Sequence, residues 1–282
     1  MSKRILVVTA IVFAVSGLAL GAPPAGNTAN ITQAGDDNSA TIKQVGSGNT
    51  ATIDQTGNKN KAVGSNDWWT YKDGALVEHV PEDVGIYQNG IDNTASIAQT
   101  STMTNYGHQA RIRQVGNTNN AAVTQTGAAF NQGSVRQDGN LNSVTLTQAG
   151  KSNTSNNAQF GNENQATVSQ TGESNVAEVY QEGNLNIASQ TQDGDRNTAR
   201  IGQMGNQNDS TQTQTGDDNS ADADIWGDLN TTTQTQLGNL NFADIMIVGN
   251  SNVASQSQTG DGNSSTISQT GDNNTATVVQ GP

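Results

Sequence analysis

Apolar residues along this chain fall at alternate positions in short runs, and the runs recur every eleven residues. In residues 38–57, NSATIKQVGSGNTATIDQTG, the set Asn38, Ala40, Ile42, Gln44 and Gly46 returns as Asn49, Ala51, Ile53, Gln55 and Gly57. Written from the glutamine, the unit is Q-x-G-x-x-N-x-A-x-[I/V]-x, and it closes on the next Gln. Asn, Ala, Ile or Val, and Gln share one parity, while Thr, Ser, Asp, Glu, Arg and Lys fill the other without pattern. Successive side chains on a strand point to opposite faces, so each unit predicts a strand of about seven residues with one buried face. The x-G-x-x that follows, as in VGSG, TGDD and TGDN, predicts a turn whose glycine accepts a positive φ. Good copies end at Gln33, Gln44, Gln55, Gln99, Gln125, Gln148, Gln170, Gln181, Gln203 and Gln269, and weaker ones, the last at Gln280, bring the count to 21 units.

A second rhythm sets the size of the coil. The residue two before the anchor runs Gln190, Ile201, Gln212, Ala223, Gln234, Ile245, Gln256, Ile267, so Gln returns every 22 residues. Two strands per coil predict an all-β, two-sheet β-solenoid with cross-β, amyloid-like stacking, whereas three per coil would mix residue types in every column. Coils stacked ~4.8 Å apart place identical side chains directly above one another. A buried amide left unpaired costs roughly 1–3 kcal/mol, but in a column it bonds to its equivalents above and below. The candidate ladder residues are therefore Asn27, Gln33, Asn38, Gln44, Asn49, Gln55, Gln190, Gln212, Gln234, Gln256, Asn263, Gln269, Asn274 and Gln280. About ten such coils would span roughly 50 Å.

Composition fits this plan and excludes others. With 282 residues, 32% hydrophobic and 4% aromatic, the chain cannot fill an ordinary globular core. Low hydropathy with a net charge of −13 would suggest disorder were the spacing not so regular. Residues 1–21 read as a signal peptide: Lys3 and Arg4, an apolar run from Ile5 to Val15, and small residues at Ala19 and Gly21 ahead of Ala22. Loss of Lys3 and Arg4 makes residues 22–282 more acidic still, which argues against a nucleic-acid partner. No later run is apolar enough to span a bilayer. Cysteine is absent, so neither disulfides nor thiolate chemistry holds the exported chain together.

The pattern falters at about 56–82. Gln55 and Gln88 are 33 residues apart, the length of three units, yet the interval carries little of the motif and holds Trp68, Trp69, Tyr71 and His79. It reads as a protruding loop or as two eroded units, with Trp68, Trp69 and Tyr71 either binding a partner or carbohydrate or covering the solenoid flank. A smaller insertion, STMTNYGH, precedes the strand ending at Gln114, and one extra residue lies between Gln125 and Gln137. The first strand begins at Asn27 and the last ends at Gln280, with no helix or divergent polar segment over either. Stacked repeats that stay monomeric ordinarily need caps, and two open complementary ends make a head-to-tail contact that does not close.

No catalytic constellation is visible. The two histidines are His79 and His108, and His108 stands where the repeat has Asn; serines lie at outward positions without a His and carboxylate at recognisable spacing. Acidic turns such as GDDN at 35–38 and 216–219 offer oxygen ligands, but other turns carry SGN, NLN or KSN in the same place, so calcium binding is disfavoured and solvated turns are preferred. Ice binding is suggested by outward threonines at 211–216 and 231–236, but charged and apolar neighbours at Asp222, Asp224, Asp244 and Met246 weigh against a flat face.

The Q-x-G-x-x-N-x-A-x-[I/V]-x-Q unit doubled into 22 residues, together with the leader and the lack of Cys, resembles the curlin repeat of the curli subunits, over residues 27–55 and 84–280. That resemblance implies export as an unfolded chain through an outer-membrane secretion pore and polymerisation at the cell surface into amyloid of the biofilm matrix. No cofactor or enzymatic activity is implied; the partners would be further copies of the chain and a nucleator subunit. In that family Gln and Asn of the terminal repeats drive polymerisation, which maps here to Asn27, Gln33, Asn38 and Gln44 at one end and Asn263, Gln269, Asn274 and Gln280 at the other. The departures are the larger number of units, the 56–82 segment, and Ile225 and Ile247 in place of anchor Gln. Without a cationic terminal repeat, the resemblance is closer to a major fibre subunit than to a minor, nucleating one. A monomeric, surface-bound solenoid adhesin is the alternative.

Overall fold

In a computed structural model the described residues are 7–13, 26–62, 71–72, 75–76 and 85–281. Among them every regular element is a strand. Apart from one short antiparallel pair, the strands form two sheets in which each pairs in parallel with the strand one coil away. We call sheet I the one that runs from Thr28–Ala34 to Thr275–Gln280, with eleven strands, and sheet II the one that runs from Ser39–Ser47 to Ser264–Thr270. The register is the 22-residue one: Gln190, Gln212, Gln234 and Gln256 lie side by side in sheet I. Ile201, Ala223, Ile245 and Ile267 do so in sheet II. This is a β-solenoid of about ten turns, as the alternation predicts.

Parity decides burial throughout. In Thr231–Leu237 the pattern is exposed and buried by turns, and Ile42, Ile53, Ile97, Ile201 and Ile245 are all buried. The core between the sheets is thin, built from Ala, Val and Ile with the amides of Asn and Gln. Such a core gains little from any single large side chain; it gains from repetition of small apolar contacts.

The irregular segment does not occupy whole coils. Lys61–Ala62 and Ile86–Ile91 both pair with Ser39–Ser47, with Ala40 beside Ala62 and Ile42 beside Ile86, so they share one strand position. Gly57 to Asn60 form an ordinary turn before it. The interruption therefore opens inside a strand, at the outward position held by Thr41 in the neighbouring coil, where the Gly85 N–H donates to the Thr41 carbonyl at 3.0 Å. Tyr71–Lys72 and Ala75–Leu76 pair with each other in antiparallel fashion. Trp68, Trp69 and His79 lie outside the described residues, as does the Tyr71 side chain. The extra residue before Gln137 is absorbed as a bulge between Gly127 and Ala129. Near the start of the sequence, Val7–Phe13 forms a further parallel strand on Ser39–Ser47, with Val12 beside Gln44.

Two residues per turn take positive φ, where the sequence pattern marks only the glycine. Gly194 has φ +132°, and a Cβ there would lie 2.1 Å from the Gly216 carbonyl oxygen of the next coil. Two residues on, Arg196 has φ 56°; at the equivalent site Leu229 has φ 60°. An L-residue in this region costs ~1–2 kcal/mol. The conformation is held because each turn N–H is used between coils: Arg196 donates to the Glu173 carbonyl at 2.9 Å, and Leu229 to that of Asn206 at 3.0 Å.

Replacing Gly194 by Ala should therefore lower stability by ~1–3 kcal/mol, because the clash is with backbone that is itself stacked. Leu229→Asn should raise stability, since Asn tolerates this region. Denaturant midpoints of the two variants check both; equal midpoints would count against close stacking of the turns.

Candidate functional site

The anchor glutamines form hydrogen-bonded columns. In sheet I the Gln33 Nε2 donates to the Gln55 Oε1 at 2.7 Å, Gln55 to Gln99 at 2.8 Å, and so on without a break to Gln258 and Gln280 at 2.8 Å. The second N–H of each amide crosses the core to a main-chain oxygen at the start of a sheet II strand, as in Gln55 to Ser39 at 3.0 Å and Gln170 to Thr154 at 3.1 Å. Burial of these amides is tolerable only because both N–H groups and the oxygen are used. In sheet II the column runs from Gln44 to Gln88 at 2.8 Å and on to Gln203, and then stops. Ile225 and Ile247 take the next two positions, and the Gln269 Oε1 beyond them is buried without a partner. A further column links Gln190 to Gln212 at 3.0 Å, Gln212 to Gln234 at 2.7 Å and Gln234 to Gln256 at 3.0 Å.

The buried asparagines form two more columns with the opposite sense. The Asn49 N–H donates to the Asn27 Oδ1 at 3.0 Å, and this pattern runs through to Asn274 on Asn252 at 2.8 Å. Most Nδ2 groups also reach a turn glycine one coil ahead, for example Asn175 to the Gly194 carbonyl at 2.7 Å. On the other edge the column runs from Asn38 to Asn60, then meets His108, and resumes from Asn131 to Asn263. His108 is buried; its Nε2 lies 3.1 Å from the Thr100 carbonyl, while Nδ1 has no partner. Burial pushes its pKa below the usual imidazole value, partly offset by the Thr100 contact.

An outer ladder escapes the parity reading. The residue just after the turn glycine, Asn140, Asn162, Asn184, Asn206, Asp228 and Asn250, gives its N–H to the Oδ1 of the equivalent residue in the next coil at 2.7 to 3.1 Å. Acids in the other turns do the same: the Asp217 Oδ1 accepts from the Asp195 N–H at 2.9 Å. Turn carboxylates thus bond to the neighbouring coil as well as facing water. The sequence signal was the recurrence of Asn or Asp after Gly in GNLN, GNEN, GNQN and GDLN.

All these columns have a direction, and it differs at the two ends. At Thr28–Ala34 and Ser39–Ser47 the Gln33 and Gln44 Oε1 atoms are buried without partners. At the opposite end Gln269 and Gln280 each give one N–H to a main-chain oxygen, Val253 at 3.1 Å and Ser264 at 2.9 Å, with no Gln beyond to take the other. The end strands also leave Ile31 and Val278 only partly buried where inner coils bury the same positions. In the glutamine columns one end presents acceptors and the other donors, the asparagine columns run the other way, and both ends expose core.

The outer faces are unlike. Sheet I carries Thr145, Thr167, Ser189, Thr211, Thr233 and Ser255 in one outward column. A second column has Thr147, Ser169, Thr191, Thr213, Thr235 and Ser257. Asp222, Asp224, Asp244 and Met246, expected to interrupt such a face, lie on sheet II instead. Strands consecutive in sequence belong to opposite sheets, so those residues never neighbour the threonines. On sheet II the Arg200 guanidinium pairs with Asp222 at 3.0 Å and Asp224 at 2.8 Å. Burial pushes the Asp222 and Asp244 carboxyls up, Arg200 opposing this at Asp222.

Parallel strands stacked in two sheets, joined by tight turns and tied by amide columns open at both ends, define a structural β-solenoid. The curlin associated repeat matches residues 25–57, 49–100, 161–194, 194–224 and 256–281, more than half of the chain, which belongs to that family. No curated protein matches the chain. Family and fold alike are structural rather than enzymatic. Among the described residues no helix is long and apolar enough to cross a membrane.

A His whose folded pKa is depressed contributes stability above its unfolded value, about 6.5, that is lost as pH falls through the folded value. The raised carboxyls of Asp222 and Asp244 act in the opposite sense, gaining stability as pH falls. His108→Asn restores the repeat's residue, so between pH 7.5 and 5 its unfolding midpoint should fall less than that of the natural chain. Parallel pH profiles would show that His108 does not sense acid.

Proposed function

We propose that the chain is the secreted, major-type subunit of a curli-like fibre, exported after loss of residues 1–21 through an outer-membrane pore and assembled end to end outside the cell. The fibre would serve biofilm matrix and adhesion, with growth started by a nucleator subunit. The observation that carries this reading is the complementarity of the ends: unpartnered Gln33 and Gln44 Oε1 at one, donor N–H groups on Gln269 and Gln280 at the other. Asn27 and Asn38 open the asparagine columns and Asn263 and Asn274 close them, so four amide columns would run from molecule to molecule. A monomeric adhesin would have to cover both ends, at the cost of the exposed core at Ile31 and Val278. An insertion at an outward position of a sheet II strand, between Ala62 and Ile86, could serve a surface ligand without disturbing the stack.

Incubation of residues 22–282 should give thioflavin-positive fibres with a cross-β repeat of ~4.8 Å. Replacing Gln269 and Gln280 by Leu should slow elongation about thirtyfold, from the loss of roughly 1 kcal/mol at each of the two junction bonds. Replacing the outward Thr266 and Thr277 by Ala should change it little. A chain that stays soluble, or equal effects from both pairs, would sink this reading.

A second reading has its own observation. The hydroxyl columns of sheet I form a regular lattice, ~4.8 Å between coils and ~6.7 Å along each strand, of the kind that orders water at an ice surface. Thermal hysteresis of the freshly purified chain would support it, and coincident freezing and melting points would end it.

A further inference from the structure

Among the described residues the number of strand positions in the solenoid is odd. Sheet I has eleven; the twelve strands of sheet II reduce to ten once the leader strand Val7–Phe13 is set aside and Lys61–Ala62 is counted with Ile86–Ile91. The path thus begins and ends in sheet I. Each unit climbs about 2.4 Å, half of the ~4.8 Å strand spacing. Suppose a second molecule stacked with its sheet I on sheet I. Its Thr28–Ala34 would lie on Thr275–Gln280, but its Ser39–Ser47 would stand about 9.6 Å above Ser264–Thr270, two spacings rather than one. A strand-wide gap would remain, lined by unpaired backbone and by the amides of Gln44 and Gln269.

We propose that successive molecules are instead related by a half-turn about the fibre axis, so that sheet I of one continues as sheet II of the next. This rests on the end-to-end reading above and specifies its geometry. Thr28–Ala34 then lies on Ser264–Thr270 and Ser39–Ser47 on Thr275–Gln280, with no gap in either sheet. The end strands suit the exchange. Ile31 lands on Ile267 and Gln33 on Gln269; Ile42 lands on Val278 and Gln44 on Gln280. Both unpartnered oxygens, of Gln33 and Gln44, thereby meet N–H donors. Coils farther in could not exchange sheets, because Gln190, Gln212, Gln234 and Gln256 of sheet I would face the isoleucines of sheet II. The amide column in sheet I stops at Gln256, and Val278 replaces it in the end strand.

The chain itself shows that the required edge takes a strand in the required register. Val7–Phe13 lies parallel on Ser39–Ser47, with Val8 beside Ala40 and Val12 beside Gln44. Those are the positions that Ala276 and Gln280 of the preceding molecule take in the half-turn junction. Valine has no donor for the Gln44 Oε1, whereas Gln280 does. While attached, the leader occupies the docking edge; its removal opens that edge and leaves the odd count that calls for the half-turn.

Cysteine pairs distinguish the junctions, since the chain has no Cys of its own and in-register neighbours ~4.8 Å apart lie within disulfide reach. In residues 22–282, Thr266→Cys with Asn30→Cys makes neighbours across the half-turn junction. Thr277→Cys with Asn30→Cys makes neighbours only if sheet I continues as sheet I. Fibres are grown reduced, then oxidised, dissociated and run on a denaturing gel without reductant. The first pair should give a ladder of covalent oligomers and the second should remain monomeric. A ladder from the second pair alone overturns the half-turn while leaving end-to-end growth intact. Fibres that yield neither ladder overturn both, and a natural chain that forms no fibres removes the end-to-end reading and the half-turn with it. Should the first pair fail to assemble, Thr277→Cys with Thr41→Cys reports the same junction on the other flank, where a ladder supports the half-turn and a monomer refutes it.

Discussion

A buried amide that can be satisfied only by its own copy one coil away is the constraint on which the structure depends. The core holds few large apolar side chains, and the Gln and Asn between them would oppose folding if any stood alone. Once one coil is in place, it presents the oxygens and N–H groups that the next coil needs. Turn glycines, left-handed turn residues and outer asparagines all serve the same end, because a column works only when successive coils keep one spacing and one register. The chain is cooperative along its axis and nearly indifferent to what its outward positions carry.

That indifference explains what could be read from the sequence. Inward positions must match their copies, so period, parity and the 22-residue coil are written plainly: Ile201, Ala223, Ile245 and Ile267 align because nothing else would fit there. The two-sheet fold and its core follow from that pattern alone, as does family membership. Outward features were harder. Asp222 and Thr211 are close in sequence yet on opposite sheets, so a linear scan treats as neighbours residues that the core separates. The outer ladder through Asn162 and Asn184 was hidden because Asn after Gly is also ordinary turn chemistry. Leu229 in a left-handed turn breaks the local preference and is held there only by inter-coil bonds that no short window contains. The 33-residue interval, a multiple of eleven, left a loop and two eroded units both open; Lys61–Ala62 and Ile86–Ile91 share one strand position, and an outward position within a strand leaves a stacked column undisturbed.

The same physics makes the candidate site an unusual one. It is not a pocket with special residues but an ordinary coil face without its neighbour, and Gln44 differs from Gln137 only in what lies beside it. Direction comes from chemistry rather than shape: amide N–H groups point one way along each glutamine column, so the two ends of one molecule cannot be confused. The break at Ile225 and Ile247 interrupts one column near the donor end while the other runs the full length, which leaves sheet I as the continuous spine of each subunit.

The unlike outer faces acquire a meaning at the scale of many subunits. In a fibre whose sheets exchange at each junction, either flank is a block copolymer, with a hydroxyl-rich stretch of roughly 50 Å followed by a charged one of equal length. No hydroxyl ribbon then extends beyond one subunit, and two fibres lying side by side match hydroxyl to hydroxyl only in discrete alignments one full pattern, two subunits or roughly 100 Å, apart. Bundling would therefore be quantised in its offsets, and a matrix built from such filaments would have its mesh set by the length of one chain.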